Sequence, residues 1–237
     1  MKNGERPYQM AKETPGVPFR RAIFCRVEGA LVAAEPIVAA AWCAANSQRL
    51  RQRATRLARL GAGVLLDVPA FIGGRPTSAT RAWASLRGVS EDRLIVLGAE
   101  YGRRFLLPAI SEARRALVTN ERGPGSRLVL VSDYVDAVLA PVAELLQADL
   151  LWCNRLEFDC GSATGYMRAP ILSGVVGEQA VRDFATAHRI DLKISIAYGA
   201  AVTDGALLNA VGQAYPMKPE RKSRRFASLW PRPMVQA

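Results

Sequence analysis

The sequence is poor in the residues that usually carry nucleophilic or metal chemistry. Its 237 residues include one histidine, His188, and four cysteines. The cysteines show neither the paired spacing of a zinc site nor the density of a disulfide scaffold, which indicates a reducing compartment. A serine or cysteine hydrolase needs a base beside its nucleophile, and one histidine leaves almost no freedom to supply it. Cys25 is therefore interpreted as a buried thiol rather than a nucleophile.

The sequence also lacks a long uncharged hydrophobic run. Its two longest nearly uncharged stretches, 29–46 and 61–74, are interrupted by Glu35 and Asp67, whereas a spanning helix needs roughly 20 apolar residues. Residues 1–20 carry charges but no apolar segment of a secretory signal, which predicts a flexible leader. We therefore expect no transmembrane segment and a cytoplasmic protein.

Positive charge is what the sequence has in excess. The formal net charge is +11, which favours an anionic ligand, an acidic protein partner or an anionic membrane surface. Nucleic acid is not expected as a partner, because aromatic residues are not interleaved with the basic helix and no nucleic-acid-binding module is present. The arginines of 49–59 form either a solvated helical face or a grip for phosphate or an acidic partner. The basic tail, 218–237, is either solvated or a docking segment.

Strand and helix patterns alternate along most of the chain. A composition of 50% hydrophobic and 22% charged residues is that of a globular domain. Continuous apolar runs that precede helical patterns predict a doubly wound parallel sheet with right-handed crossovers. The predicted strands are 21–26, 127–133, 150–153 and 192–198; the predicted helices begin at about Pro36 and cover 136–147 and 177–188; and 159–162 is a predicted hairpin turn.

The patterns divide the chain into a core with a helical insert. We predict a flexible leader over 1–20, an α/β core over 21–38 and 121–217, a helical cap over 39–120, inserted after the first strand, and a basic tail over 218–237. Because the carboxyl ends of parallel strands meet at one edge of a sheet, three loops are expected to converge. These loops are 26–30, 132–134 and 199–204.

The order and spacing of these loops resemble the phosphoserine-phosphatase-like branch of the haloacid-dehalogenase superfamily. That family has Asp-x-Asp-Gly-Thr after its first strand, where this sequence has Arg26-Val-Glu28-Gly-Ala. Its second motif, a strand that ends in Ser or Thr, matches Ser132, and its fourth motif, Gly-Asp-Ser-x-x-Asp, aligns with 199–204. The hairpin 154–165 resembles the same branch. The resemblance implies a Rossmann-like core with a cap and covers about Arg21 to Lys218.

The resemblance also implies a chemistry that this sequence has partly lost. Family members attack phosphate with the first aspartate, use the second as acid and base, hold Mg²⁺ with aspartates from both ends of the site, and neutralise charge with a lysine. Here Arg26 stands at the nucleophile position, and a guanidinium is a permanent cation that cannot attack phosphorus. Ala200 replaces a metal ligand, and the lysine position aligns with Ala180, with Arg182 about half a turn away. Glu28, Ser132 and Asp204 are the retained family positions.

We therefore predict a catalytically degenerate phosphatase homologue that serves as a binding, regulatory or assembly module. Its expected anion-binding residues are Arg26, Ser132 and Arg182, and no metal or other cofactor is expected. We hypothesise that Arg26 takes the place of Mg²⁺ and pairs with Glu28 and Asp204. The alternatives are a divergent Mg²⁺-dependent phosphomonoesterase acting on a small phosphate ester or lipid-derived phosphate, and a structural subunit of a larger complex.

Overall fold

A computed structural model describes residues 21–46, 82–172, 176–200 and 203–217. The predictions for the leader, for the arginines of 49–59 and for the basic tail concern residues outside these ranges. Within the described residues, every helix is too short or too polar to cross a membrane.

The centre of the fold is a five-stranded parallel sheet with the order β3-β2-β1-β6-β7. The first strand lies in the middle, and the chain adds strands on one side of it before it crosses to the other. This order confirms the predicted doubly wound sheet and puts a topological switch point beside β1. A separate antiparallel hairpin is formed by β4 and β5. The strands are β1 Arg21–Arg26, β2 Ser126–Val135, β3 Leu150–Asn154, β4 Leu156–Asp159, β5 Ser162–Met167, β6 Ile196–Ala200 and β7 Gln213–Met217.

Helices cover both faces of the sheet. The helical cap predicted for 39–120 lies partly outside the described residues. The helix α1 is continuous across the predicted boundary between core and cap at 38/39. The helices are α1 Pro36–Ala45, α2 Glu91–Tyr101, α3 Glu112–Asn120, α4 Asp136–Leu146, α5 Glu178–Ala187 and α6 Gly205–Ala210, and a π-helical turn, Gly102–Leu106, extends α2.

One strand prediction was wrong at its start. Residues 192–194 form a short 3-10 helix, and β6 begins only at Ile196. The cause is local hydrogen bonding, which competes with strand pairing. The Asp191 carboxylate accepts from the backbone N–H of Lys193 at 2.9 Å, and the Ser195 hydroxyl donates to the Asp191 carbonyl at 2.6 Å.

Alternation along β1 divides the buried residues into two layers. Ile23 and Cys25 belong to the larger cluster, which includes α1, α2 and α4. Ala22 and Phe24 point to the opposite cluster, where Phe24 contacts Phe184 of α5. Because both faces are covered, the middle of β1 is apolar, and its two charged side chains, Arg21 and Arg26, stand at its ends. The site is found at the carboxyl ends.

Candidate functional site

Three segments meet at the carboxyl edge of the sheet, as the sequence predicts. Arg26 is the last residue of β1, Asp133 lies near the end of β2, and Asp204 lies just before α6. The turn after β1 carries Glu28 back toward β2, and Gly29 makes this turn with a φ of 84°, a conformation that favours glycine. One basic and three acidic side chains are thereby brought together.

The guanidinium of Arg26 lies between these three carboxyl groups. Its Nη2 is 2.7 Å from Oδ1 of Asp133, its Nε is 3.1 Å from Oε2 of Glu28, and the same Nε is 3.6 Å from Oδ1 of Asp204. The Arg26 side chain is 3% exposed, and that of Asp204 is fully buried. The pairing of Arg26 with Glu28 and Asp204 matches the hypothesis from the sequence. We call these four residues the Arg26 centre.

The electrostatics of the Arg26 centre follow from burial and from an excess of acidic groups. Burial acts to lower the pKa of Arg26, but the carboxylates of Glu28, Asp204 and Asp133 outweigh it and hold that pKa above its ordinary value. Burial raises the pKa of Glu28 and that of Asp204, and in both cases it outweighs the opposing attraction of Arg26. The arginine is therefore always charged, whereas Glu28 and Asp204 resist full ionisation.

Ser132 stabilises the Arg26 centre by a hydrogen bond to Glu28. Its hydroxyl donates to Oε1 of Glu28 at 2.6 Å and accepts from the backbone N–H of Tyr134 at 3.0 Å. The same Oε1 accepts from the backbone N–H of Asp133 at 3.0 Å. Ser132 is fully buried. The hydroxyl that the family resemblance assigns to a phosphate oxygen thus donates to a carboxylate instead.

Asp204 is positioned by hydrogen bonds from the end of β6 and the loop that follows it. Its Oδ2 accepts from the backbone N–H of Ala200 at 2.8 Å and from the hydroxyl of Thr203 at 3.2 Å. Gly199 permits this approach, because a Cβ added there would lie 2.9 Å from both Cβ and Oδ2 of Asp204. The other carboxyl oxygen of Asp204 is thereby directed toward Arg26.

Asp133 is the member of the centre that sequence reasoning missed. It follows Ser132 directly, and alternation along a regular strand would direct the two side chains to opposite faces. The pairing of β2 with β3 shifts register between Ser132 and Val135, so regular alternation ends here. Asn154 of β3 supports the irregular segment by donating to the Asp133 carbonyl at 2.9 Å and to the Leu172 carbonyl at 2.7 Å.

The structure does not bring Arg182 to the Arg26 centre. Arg182 lies on α5 with 56% of its side chain exposed and pairs with Glu178, one turn earlier, at 2.9 Å. Ala180, at the aligned lysine position, packs against the cluster on the α5 side of the sheet. The three predicted anion-binding residues are thus divided between a buried ion cluster, which contains Arg26 and Ser132, and an exposed helix surface.

The residues of the centre do not fit Mg²⁺ in the manner that the resemblance implies. The guanidinium already lies among the carboxylates that would coordinate a cation, and Ala200 offers no side-chain oxygen. Across the described ranges, no group of three or more His, Cys, Asp or Glu side chains is arranged to hold a metal ion. What the geometry provides is a buried ion cluster that joins three loops.

The fold and these motif positions define a member of a known family. The chain belongs to the haloacid dehalogenase-like hydrolase family, which it matches over residues 29–209. A Streptomyces azureus protein named for inhibition of morphological differentiation is 29% identical over 151 residues, which cover 62% of this chain and 54% of the relative. A probable phosphatase of Mycobacterium tuberculosis is 29% identical over 129 residues, which cover 54% of this chain and 45% of the relative. The chain thus spans about half the length of these curated relatives.

Solved structures share the fold. A Bordetella pertussis protein of unknown function has a TM-score of 0.68 and 19% identity, and the similarity covers 89% of this chain and 95% of that chain. A substrate-bound phosphoserine phosphatase has a TM-score of 0.57 and 17% identity, with coverage of 87% and 90%. At these identities the likeness shows a common fold.

Proposed function

We propose that this chain is a non-catalytic member of its family that works as a binding, regulatory or assembly module. The observation that carries the proposal is the position of Arg26. Its guanidinium occupies the end of β1, where the family resemblance implies a nucleophilic aspartate, and it is ion-paired to Glu28, Asp133 and Asp204. A guanidinium has no lone pair to offer phosphorus and cannot coordinate a metal. The aspartyl-phosphate route is therefore closed in this chain.

Two further positions support the same proposal. Ala200 and Ala180 stand where the resemblance implies a metal ligand and a lysine. Phosphoryl transfer depends on a cation to neutralise developing charge and on groups that position the phosphate. With the nucleophile, a metal ligand and the lysine position changed together, we expect neither Mg²⁺ nor another cofactor to be required.

The centre itself is a poor place for an anionic ligand. Arg26 and Ser132 already donate to carboxyl groups, and an arriving phosphate would face three acidic side chains. We therefore expect the module to recognise its partner outside the Arg26 centre. Four free cysteines support action in the cytoplasm, where thiols stay reduced.

The second candidate is a divergent Mg²⁺-dependent phosphomonoesterase. It is favoured by the names of relatives, which include a probable phosphatase and a phosphoserine phosphatase that is 30% identical over 117 residues. Activity would require Arg26 to leave the carboxylates and a different group to attack phosphorus. The third candidate, a structural subunit, differs from a free binding protein in that one stoichiometric partner would co-purify with it.

Phosphate release separates the first two candidates. The purified chain is incubated with phosphoserine and with p-nitrophenyl phosphate, with and without Mg²⁺, beside an active phosphoserine phosphatase. We expect the wild type to release no more phosphate than the double variant Glu28→Gln, Asp204→Asn. Mg²⁺-dependent release by the wild type that disappears in this variant would establish the phosphomonoesterase and overturn the non-catalytic proposal. Circular dichroism of both proteins verifies that the comparison is between folded chains.

A further inference from the structure

The turn after β1 is closed by its own backbone and carries one member of the Arg26 centre. The Val27 carbonyl accepts from the backbone N–H of Leu31 at 3.1 Å and from the next N–H along the chain at 2.9 Å. Glu28 lies within this segment, and its carboxylate pairs with the guanidinium of the centre at 3.1 Å. We call the segment 27–32 the Glu28 turn. Because its own hydrogen bonds close it, a displacement of Leu31 also displaces Glu28.

Arg114 of α3 reaches the Glu28 turn from a distant part of the chain. Its Nη1 donates to the Leu31 carbonyl at 3.0 Å, although the two residues are 83 positions apart in the sequence. Leu31 is 1% exposed, and a buried carbonyl that loses its donor costs free energy. Hydrogen bonds from a charged donor are also among the stronger ones in proteins. The Arg114 side chain therefore ties α3 to the Glu28 turn.

The Cys25 thiol shows independently that Arg114 lies near the end of β1. Burial and the carboxylate of Asp204 raise the pKa of this thiol, and the Arg114 guanidinium opposes them. Cys25 directly precedes Arg26 in the strand. The guanidinium of Arg114 is thus within electrostatic reach of the strand end that carries the Arg26 centre.

Helix α3 itself is held on the core by few apolar contacts. Of its nine residues, EARRALVTN, Val118 is buried, and Leu117 is partly buried against the larger core cluster. Elements with few buried apolar contacts are the ones that open locally at a low free energy. Undocking of α3 is therefore expected to cost less than unfolding of the sheet, and it would withdraw Arg114 from Leu31.

We infer that Arg114 is a latch through which the docking of α3 holds the Glu28 turn in place. While α3 is docked, the guanidinium retains the Leu31 carbonyl, and Glu28 stays beside Arg26. When α3 undocks, that hydrogen bond is lost and the turn opens more readily. A partner that displaces α3 thus also loosens the Arg26 centre, which couples the two places. The inference goes beyond the proposed function, because it holds whether or not the chain is catalytic.

Hydrogen exchange of the full chain, read at single amides, tests the latch. Arg114→Met removes the donors but keeps an apolar stem. We expect the amides of Leu31 and Val32 to exchange about tenfold faster in this variant, the effect of losing a hydrogen bond to a charged group. Arg115→Met is the matched control, because Arg115 is the next residue of α3 and is exposed; it should leave both rates unchanged. Equal rates in the wild type and Arg114→Met would overturn the inference.

A second substitution distinguishes a latch from a local hydrogen bond. Val118→Ala removes the buried anchor of α3 and should also speed exchange at Leu31 and Val32. In the Arg114→Met background it should have no further effect on these amides, because the connection is already lost. Equal acceleration in both backgrounds would show that α3 acts on the turn by another route and would refute the latch.

All rates are compared with those of the β6 amides, which report opening of the whole sheet. Unchanged β6 rates verify that a variant is folded and that the acceleration is local. If Arg114→Met does not fold, Arg114→Lys replaces it, since a shorter side chain with one ammonium group should also weaken the contact. Phosphate release is measured separately, so the latch and the non-catalytic proposal can fail independently.

Discussion

Nη2 of Arg26 lies 2.7 Å from Oδ1 of Asp133, closer than the guanidinium comes to either Glu28 or Asp204. This contact joins the end of β1 to an irregular part of β2. It adds a third carboxylate to a pair that sequence comparison with the family already indicates. The Arg26 centre is therefore an ion cluster with more acid than base, buried at the switch point of the sheet.

The first prediction concerns the removal of the guanidinium. Arg26→Ala leaves three buried carboxyl groups without their cation, and breaking a buried ion pair by removing one partner costs about 3–5 kcal/mol. We expect the free energy of unfolding, measured by urea denaturation, to fall by this amount. Arg26→Lys keeps the charge but loses the planar fork of donors and should fall between Arg26→Ala and the wild type. An unchanged urea midpoint for Arg26→Ala would refute the ion-cluster interpretation.

The second prediction concerns pH. Because burial raises the pKa of Glu28 and of Asp204, the native chain binds more protons than the unfolded chain above about pH 4, where free carboxyl groups ionise. The stability that each extra bound proton supplies is present at low pH, and it is lost as the pH rises through the pKa that the carboxyl group has in the native chain. One proton contributes at most about 1.4 kcal/mol per pH unit.

Urea midpoints measured between pH 4 and pH 8 test whether Asp204 holds an extra proton in the native chain. The wild type should lose stability with rising pH more steeply than Asp204→Asn, whose amide oxygen can still accept from the Ala200 backbone. His188, whose pKa is lowered by burial, contributes equally to both proteins and cancels in the difference. Identical pH slopes would show that Asp204 does not hold a proton in the native chain.

The third prediction compares two glycines that lie on either side of Asp204 in the sequence. Gly199→Ala places a methyl group 2.9 Å from the Asp204 side chain, so Asp204 must shift from the position in which it faces Arg26. We expect a loss of about 1–3 kcal/mol, as for other overpacked sites. Gly205→Ala is the control, because its added methyl group meets nothing within 4 Å beyond its chain neighbours and its own helix backbone. Equal urea midpoints for the two variants would contradict the described packing around Asp204.

The fourth prediction counts reactive thiols. Cys160 is exposed at the tip of the hairpin, whereas Cys25, Cys43 and Cys153 are buried. Burial raises the pKa of Cys43 to about 12 and raises the pKa of the other two buried thiols further. Ellman's reagent should therefore label one thiol rapidly in the native protein and all four in urea. Rapid labelling of a second thiol in the native chain would contradict the burial of β1, α1 or β3.

The contact of Arg26 with Glu28 and Asp204 was accessible from the sequence because it depends on topology. Parallel strands deliver their carboxyl ends to one edge, and the glycine turn after β1 fixes where Glu28 returns. The position of Asp133 in the centre depends instead on a register shift in β2. No residue type in the run 127–133 indicates that shift. The same limit applies to β6, where Asp191 and Ser195 form local hydrogen bonds that delay the strand.

The sequence shows that Arg182 carries a charge, but it does not show in which direction the Arg182 side chain points. A helix position within half a turn of an aligned lysine can face the site or the solvent, and small rotations decide between them. Here α5 buries Val181 and Ala185, which turns Arg182 outward to Glu178. Packing of the apolar stripe, rather than the charge, set the direction of the side chain.

The cation of the Arg26 centre is covalently attached to the chain. A diffusible ion leaves its carboxylates in proportion to its concentration in solution, and a chelator can remove it. A tethered guanidinium has a fixed stoichiometry of one per molecule and departs only when the loops that hold it come apart. The three loops around Arg26 are therefore expected to keep their arrangement in any ionic medium in which the chain stays folded.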